Sequence, residues 1–122
     1  MTLRRFKRIA RKAIRSLPEL FQPHLKRIDF RVKRRASRRL RRELELDEDD
    51  DLFGLYEGTP LTDMGHDDAP ELPPRITLFW EPLLESCEDD AELEREIQIT
   101  ILHEIGHFFG LEEDDLERLG YG

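Results

Sequence analysis

The segment with the clearest chemical content runs from His103 to His107 and reads His-Glu-Ile-Gly-His. On an α-helix, positions i and i+4 lie one turn apart on the same face, so His103 and His107 can bind one zinc ion. Glu104 is turned by about 100° from His103, so it can act as general base on a zinc-bound water without being a ligand. The alternative is a helix whose two histidines only flank the hydrophobic core. The pattern favours a zinc-dependent hydrolase.

The residues after His107 indicate where a third zinc ligand would come from. Gly110 follows His107 by three residues and is expected to end the helix. In zincins of the metzincin type, the third ligand lies three residues beyond this glycine, and that position holds Glu113. A catalytic zinc site needs three protein ligands and one open position for water, and a carboxylate is a competent ligand. The alternatives to Glu113 are water and the neighbouring acids Glu112, Asp114 and Asp115.

The motif needs a helix, and the apolar residues around it have the spacing of one. They are Leu93, Ile97, Ile101, Ile105 and Phe108. We therefore predict a helix from about Asp89 to Phe109, with Ser86 or Asp89 as its N-cap. A last short helix is predicted over residues 112–119.

Two strands are predicted before this helix. Residues 75–80 are β-branched and aromatic and give the strongest strand pattern, while residues 52–58 predict a shorter strand bounded by glycine. Phe79 and Trp80 are expected in the core and on the sheet surface. The prolines between residues 59 and 74 predict a loop.

The N-terminal third is basic. Residues 3–17 predict an amphipathic helix, which Pro18 ends. Residues 25–32 alternate loosely and predict a strand. Residues 33–42 predict a helix or a solvated connector, and the acidic block 47–51 predicts a loop.

Several segments together resemble the small bacterial zincin-like metallopeptidase family. They are Leu52–Leu61, Pro74–Phe79, His103–Leu111 and the closing Leu119–Tyr121. The resemblance spans about residues 50–122 and is looser over residues 1–49, where the first helix, the Leu-Pro pair and the next strand match. It implies an α+β minimal zincin-like domain, with a small sheet packed on the HExxH active-site helix.

The same resemblance implies a function. His103 and His107 would bind Zn²⁺, Glu104 would be the catalytic residue, and an acidic residue often stands at the position of Glu113. The expected protein is a zinc-dependent metallopeptidase that acts on a peptide or protein substrate. We expect one domain over residues 1–122, with a basic portion before residue 50 and the motif-bearing portion after it.

Charge is divided unevenly along the chain, although the formal net charge is only −8. Residues 1–42 hold 17 basic and two acidic residues, whereas residues 43–122 hold three basic and 26 acidic ones. Clustered arginine is typical of phosphate binding, so the basic half could contact RNA, another polyanion or anionic lipid. It could equally neutralise the protein's own acidic half. The alternative function is therefore a non-enzymatic module with structural zinc whose basic N-terminal arm binds a polyanion.

The cysteine content and the lack of long apolar runs exclude several classes of protein. Cys87 is the only cysteine, which excludes an internal disulfide and a multi-cysteine zinc site. No apolar run approaches the roughly 18 residues that span a bilayer, and no apolar signal stretch follows the basic N-terminus. We expect a cytoplasmic monomer without a transmembrane segment. His24 and His66 are expected at the surface, and Tyr121 is expected to pack at the C-terminus rather than reach the cleft.

The substrate path can be predicted from the strands. Zincins commonly hold an extended peptide antiparallel to a strand edge beside the active-site helix. We predict that the strand at 76–80, or the strand at 52–58 beside it, forms the rim of the zinc cleft. The loop at 59–74 would border the opening.

Overall fold

The protein combines helices with one small sheet. The computed structural model describes residues 1–47, 49–58, 72–106 and 111–121. The helices of these residues are α1 (Leu3–Arg15), α2 (Gln22–Leu25), α3 (Arg38–Glu43), α4 (Trp80–Glu85), α5 (Asp90–Ile105) and α6 (Glu113–Arg118), with a 3₁₀ turn at Glu19–Phe21. The mixed architecture confirms the predicted α+β fold.

The sheet of the described residues has three strands. β1 (Asp29–Lys33) pairs parallel to β3 (Arg75–Phe79), and β2 (Gly54–Glu57) pairs antiparallel to the opposite side of β3. The order β1-β3-β2 places β3 in the centre and β2 at an edge. The prediction that residues 76–80 could form the rim of the cleft is therefore wrong, because a strand paired on both sides offers no free backbone edge.

The core lies between α1, the sheet and α5. Phe6 and Ala13 of α1 are fully buried, and so are Ile97 and Ile101 of α5. The buried side chain of Gln98 adds a polar link, because its Nε2 donates to the main-chain oxygen of Ala13 at 3.0 Å. The basic first helix thus packs directly on the helix that carries the motif.

Helix α5 begins where its sequence predicts. The side chain of Asp89 accepts a hydrogen bond of 2.8 Å from the N–H of Glu92, so Asp89 rather than Ser86 is the N-cap. Asp90 and Glu92 lie in the first turn, where the helix dipole favours negative charge. The predicted end of the helix near Phe109 lies outside the described residues.

Two predicted elements have different bounds in the structure. Residues 25–32 were expected to form a strand, but β1 begins only at Asp29, because Leu25 belongs to α2 and is buried in the core. In the basic stretch 33–42, α3 begins at Arg38 after Ser37, whose side chain caps the N–H of Leu40 at 3.1 Å.

Helix α4 was not predicted from the sequence. Its third residue is Pro82, which was interpreted only as the end of a strand. Proline is tolerated in a first helical turn because the N–H it lacks would have no partner inside the helix. Phe79 is buried as expected, whereas Trp80, which was predicted as part of the strand, is half-buried and begins α4. Within the described residues, no helix is both long enough and apolar enough to cross a membrane.

Candidate active site

The edge strand β2 lies directly against α5 because Gly54 has no side chain. A Cβ added to Gly54 would lie 2.7 Å from Cγ2 of Thr100 and 3.3 Å from the main-chain oxygen of Thr77. The Thr100 side chain is buried, and its Oγ1 donates to the main-chain oxygen of Glu96 at 2.8 Å, so its methyl group is held in place. A glycine inside a strand often marks such a close approach.

This approach brings the backbone of β2 to the catalytic candidate. The main-chain N–H of Tyr56 donates to Oε1 of Glu104 at 2.7 Å. Alternate residues of an antiparallel strand direct their N–H and C=O groups toward and away from the paired strand, and Tyr56 directs its N–H away from β3. The carboxylate of Glu104 therefore lies at the outer edge of the sheet.

His103, the first histidine of the motif, is exposed near the end of α5. It lines a cavity of about 390 Å³ together with three consecutive acids, Glu112, Glu113 and Asp114. Gly106, Leu111 and Leu116 form the apolar part of the wall. The chain after the motif thus returns a carboxylate-rich turn to the side of His103, where a third ligand was expected.

Contacts with α5 and within α6 hold α6 in place, and they occupy Asp115 but not Glu113. Leu116 is buried, and its Cδ1 would lie 3.6 Å from a Cβ placed on Gly106. The carboxylate of Asp115 accepts a hydrogen bond of 2.9 Å from the N–H of Glu112 and forms an ion pair with Arg118. Both contacts lower the pKa of Asp115, and the hydrogen bond from Glu112 has the larger effect. Asp115 is therefore engaged in holding α6, unlike Glu113, which lines the cavity.

A second depression lies on the β2 side of the same two motif residues. It has a volume of about 260 Å³, and both His103 and Glu104 line it. Its remaining walls come from Leu52, Phe53, Gly54, Glu96, Ile99 and Thr100. The start of the motif therefore separates two concave surfaces, one bounded by α6 and one bounded by the edge strand.

The chemistry of the donors fits zinc, which is bound by imidazole nitrogen and carboxylate oxygen. His103 supplies the first and Glu113 supplies the second at one cavity. His107 and Gly110 lie outside the described residues. Among the residues that are described, no group of three metal-binding side chains is found. The candidate ligand set therefore includes one residue on which the structure gives no geometry.

The other residues singled out from the sequence lie away from this site or outside the described ranges. Tyr121 is buried at the C-terminus, and the guanidinium of Arg95 lies 4.4 Å from the centre of its ring. His24 is half-buried in α2. His66 lies outside the described residues. Burial and neighbouring acids raise the pKa of Cys87, so its thiol has little thiolate character.

Comparison with known proteins decides the family. A family model described as zincin-like metallopeptidase matches residues 25–122, which is most of the chain. The protein belongs to this family. No curated protein was found that matches the sequence. Membership in the zincin-like family associates the chain with zinc-dependent peptidase chemistry and with peptide substrates.

Two contributors to this zincin-like site were missed by the sequence analysis. The donor of Tyr56 belongs to the main chain, so no residue type marks it in advance. Gly54 did carry a signal, because glycine weakens a strand interior unless a neighbour needs the space. The strand predicted over residues 52–58 includes this glycine without assigning it a role.

Proposed function

We propose that this protein is a zinc-dependent peptidase whose cleft runs between the outer edge of β2 and the start of α6. The observation that supports this most strongly is the hydrogen bond from Tyr56 to Glu104. It places the candidate general base at a strand edge, which is where an extended peptide can add as a further strand.

Zinc would be held by His103, His107 and Glu113. When bound, it polarises the scissile carbonyl and makes an attacking water more acidic. Glu113 is preferred to Asp115 because it lines the cavity beside His103, whereas Asp115 is engaged with Glu112 and Arg118. Glu112 and Asp114 line the same cavity and stay as alternatives to Glu113.

Glu104 would carry the proton. Its carboxylate accepts a proton from the attacking water and delivers it to the nitrogen of the leaving amine. The N–H of Tyr56 restrains this carboxylate through Oε1, and a hydrogen bond to an ionised acceptor is roughly twice as strong as a neutral one. Tyr56 is therefore a positioning residue that acts through its backbone.

The peptide would lie antiparallel to β2. In the part of the chain that the structure describes, β2 is bonded to β3 on one side only, so its outer main-chain groups other than the N–H of Tyr56 would pair with the peptide. Main-chain hydrogen bonds would give affinity, and the depression lined by Leu52, Phe53 and Ile99 would receive a substrate side chain.

Metal analysis of the purified protein is the primary test. We expect about one equivalent of zinc, which is lost in His103→Ala and His107→Ala. We expect hydrolysis of an unbiased library of quenched fluorescent peptides by the zinc-loaded protein and none by Glu104→Gln. A protein that neither contains zinc nor takes it up would refute the proposal.

A binding module with structural zinc is the second candidate, because five of the seven cationic residues of α1 are exposed and form no ion pair with a described carboxylate. It predicts that Glu104→Gln leaves every measured function unchanged, while reversing the charges of residues 4–15 abolishes the function.

A further inference from the structure

Helix α1 presents a continuous cationic face that the fold does not use. The face consists of Arg4, Lys7, Arg8, Arg11 and Arg15, which we call the α1 stripe. All five side chains are exposed, and α1 contains no acidic residue. None of the five forms an ion pair with a carboxylate in the described ranges. At 3.6 residues per turn, the four arginines fall within about 60° of arc and span roughly 16 Å of helix.

The two other cationic residues of α1 form ion pairs with acidic residues of the same chain. Arg5 forms an ion pair with Asp90, and Lys12 lies 3.6 Å from Glu94. Both partners belong to α5, and at 3.6 residues per turn Arg5 and Lys12 lie on the same side of the packed face of α1. Among the residues that the structure describes, ion pairs with the acidic half thus neutralise one flank of the helix and do not extend to the stripe.

Repulsion between the charges of the stripe destabilises α1. Arg4 and Arg8, Lys7 and Arg11, and Arg11 and Arg15 are like-charged pairs at i,i+4, each destabilising by about 0.2–0.5 kcal/mol. Arg4 also lies in the first turn, where the helix dipole disfavours positive charge. The buried face of α1 would support the helix equally well with neutral side chains at these positions.

We propose that the α1 stripe binds the phosphate backbone of double-stranded nucleic acid without reading its sequence. Over roughly 16 Å a duplex carries about ten phosphates, and arginine matches phosphate with two parallel hydrogen bonds. The stripe contains no aromatic residue on which an unpaired base could stack, and each of its side chains is a cation that can pair with any phosphate along a duplex.

An anionic membrane is the other polyanionic surface, and α1 has no free apolar face to insert into it. A helix that binds in the membrane interface inserts an apolar face into the lipid. The apolar face of α1 is already used, because Phe6, Ala10 and Ala13 are buried against the core. The helix also precedes the family match, which begins at residue 25.

The test compares two variants of the full chain, each of which loses four positive charges. The stripe variant replaces Arg4, Arg8, Arg11 and Arg15 with Gln. The control variant replaces Arg31, Arg39, Arg75 and Arg118 with Gln, all of which are exposed and form ion pairs with described carboxylates. Fluorescence anisotropy with labelled 20-base-pair DNA and RNA duplexes gives the affinity between 50 and 300 mM salt. Circular dichroism checks that both variants are folded.

We expect the original protein and the control to bind a duplex with a steep salt dependence. In the stripe variant, the slope of log K against log salt should become shallower by about three to four, and by about one in Arg8→Gln alone. Binding to the DNA duplex, the RNA duplex or both supports the proposal and identifies the source of the phosphates.

Three results would overturn it: no duplex binding at 50 mM salt, an unchanged slope in the stripe variant, or an equal loss in the control. Stripe-dependent binding to phosphatidylserine vesicles without duplex binding would also overturn it, in favour of a membrane. Glu104→Gln should bind duplex as the original protein does, which separates this outcome from that of the peptidase proposal.

Discussion

The N–H of Tyr56 lies 2.7 Å from Oε1 of Glu104, so a main-chain donor of the edge strand restrains the candidate general base. The contact exists because Gly54, two residues earlier, lets the strand approach α5 at Thr100. The position of β2 therefore affects both the surface available to a peptide and the orientation of the carboxylate.

Replacing Glu104 with Gln should separate metal binding from hydrolysis. The amide oxygen can still accept the N–H of Tyr56 but cannot take a proton from water. We expect kcat for peptide hydrolysis to fall by about 10²–10⁴-fold while the zinc content stays the same. Glu96→Gln is the matched control, since Glu96 lies on the same helix and lines the same depression. Full hydrolysis by Glu104→Gln would exclude this residue as the base.

Gly54→Ala should move β2 away from α5. The new methyl group would lie 2.7 Å from Cγ2 of Thr100, and overpacking of this kind costs about 1–3 kcal/mol. We expect a lower free energy of unfolding in urea and a lower kcat, with a smaller effect on zinc content.

A second substitution tests that this contact is the cause. Thr100→Ser removes Cγ2 and keeps the hydroxyl that bonds the main-chain oxygen of Glu96. The double variant Gly54→Ala/Thr100→Ser should recover stability and activity toward the values of Thr100→Ser alone. Simple additivity of the two losses would show that the strain arises elsewhere.

Neighbouring acids of α6 should respond differently to loss of charge. Glu113→Gln should weaken zinc affinity by at least tenfold, because it removes a proposed ligand. Asp115→Asn should leave zinc affinity within a few-fold and lower stability, since Asp115 holds the N–H of Glu112 and pairs with Arg118. Competition titration with a zinc chelator measures both. Equal affinity in Glu113→Gln and the original protein would move the third ligand to another residue.

Stability should fall in acid partly through Glu81. Hydrogen bonds from Arg34, and then from Arg35, hold the pKa of Glu81 below its ordinary value of 4.5. Because the folded-state pKa is below the unfolded one, this stabilisation is complete above the unfolded pKa and is lost as the pH falls through the folded value. Glu81→Gln should therefore reduce the difference in urea midpoint between pH 7 and pH 3.

The control for this comparison is Glu19→Gln, since Glu19 is exposed and forms no ion pair with a described residue. It should leave the acid dependence of the urea midpoint unchanged. An identical pH dependence in Glu81→Gln and the original protein would show that these ion pairs add no pH-dependent stability.

The sequence by itself determined the elements whose signals are local. The apolar spacing from Leu93 to Ile105 predicted α5, and Asp89 could be proposed as its cap, because both depend on residues within a few turns of one another. The HExxH spacing and the glycine after it defined the candidate zinc ligands in the same way. All of these ligands remain predictions, and His107 lies outside the described residues.

Only the tertiary structure decided how the strands are arranged and what reaches the site. Arg75–Phe79 lies in the centre of the sheet formed by the described residues, and Asp29–Lys33 and Gly54–Glu57 lie at its two edges. Strand order depends on contacts between residues far apart in sequence, which no local pattern records. The bond from Tyr56 to Glu104 could not be predicted for a further reason: its donor is a backbone group that every residue except proline possesses, so its use is fixed only when strand and helix meet.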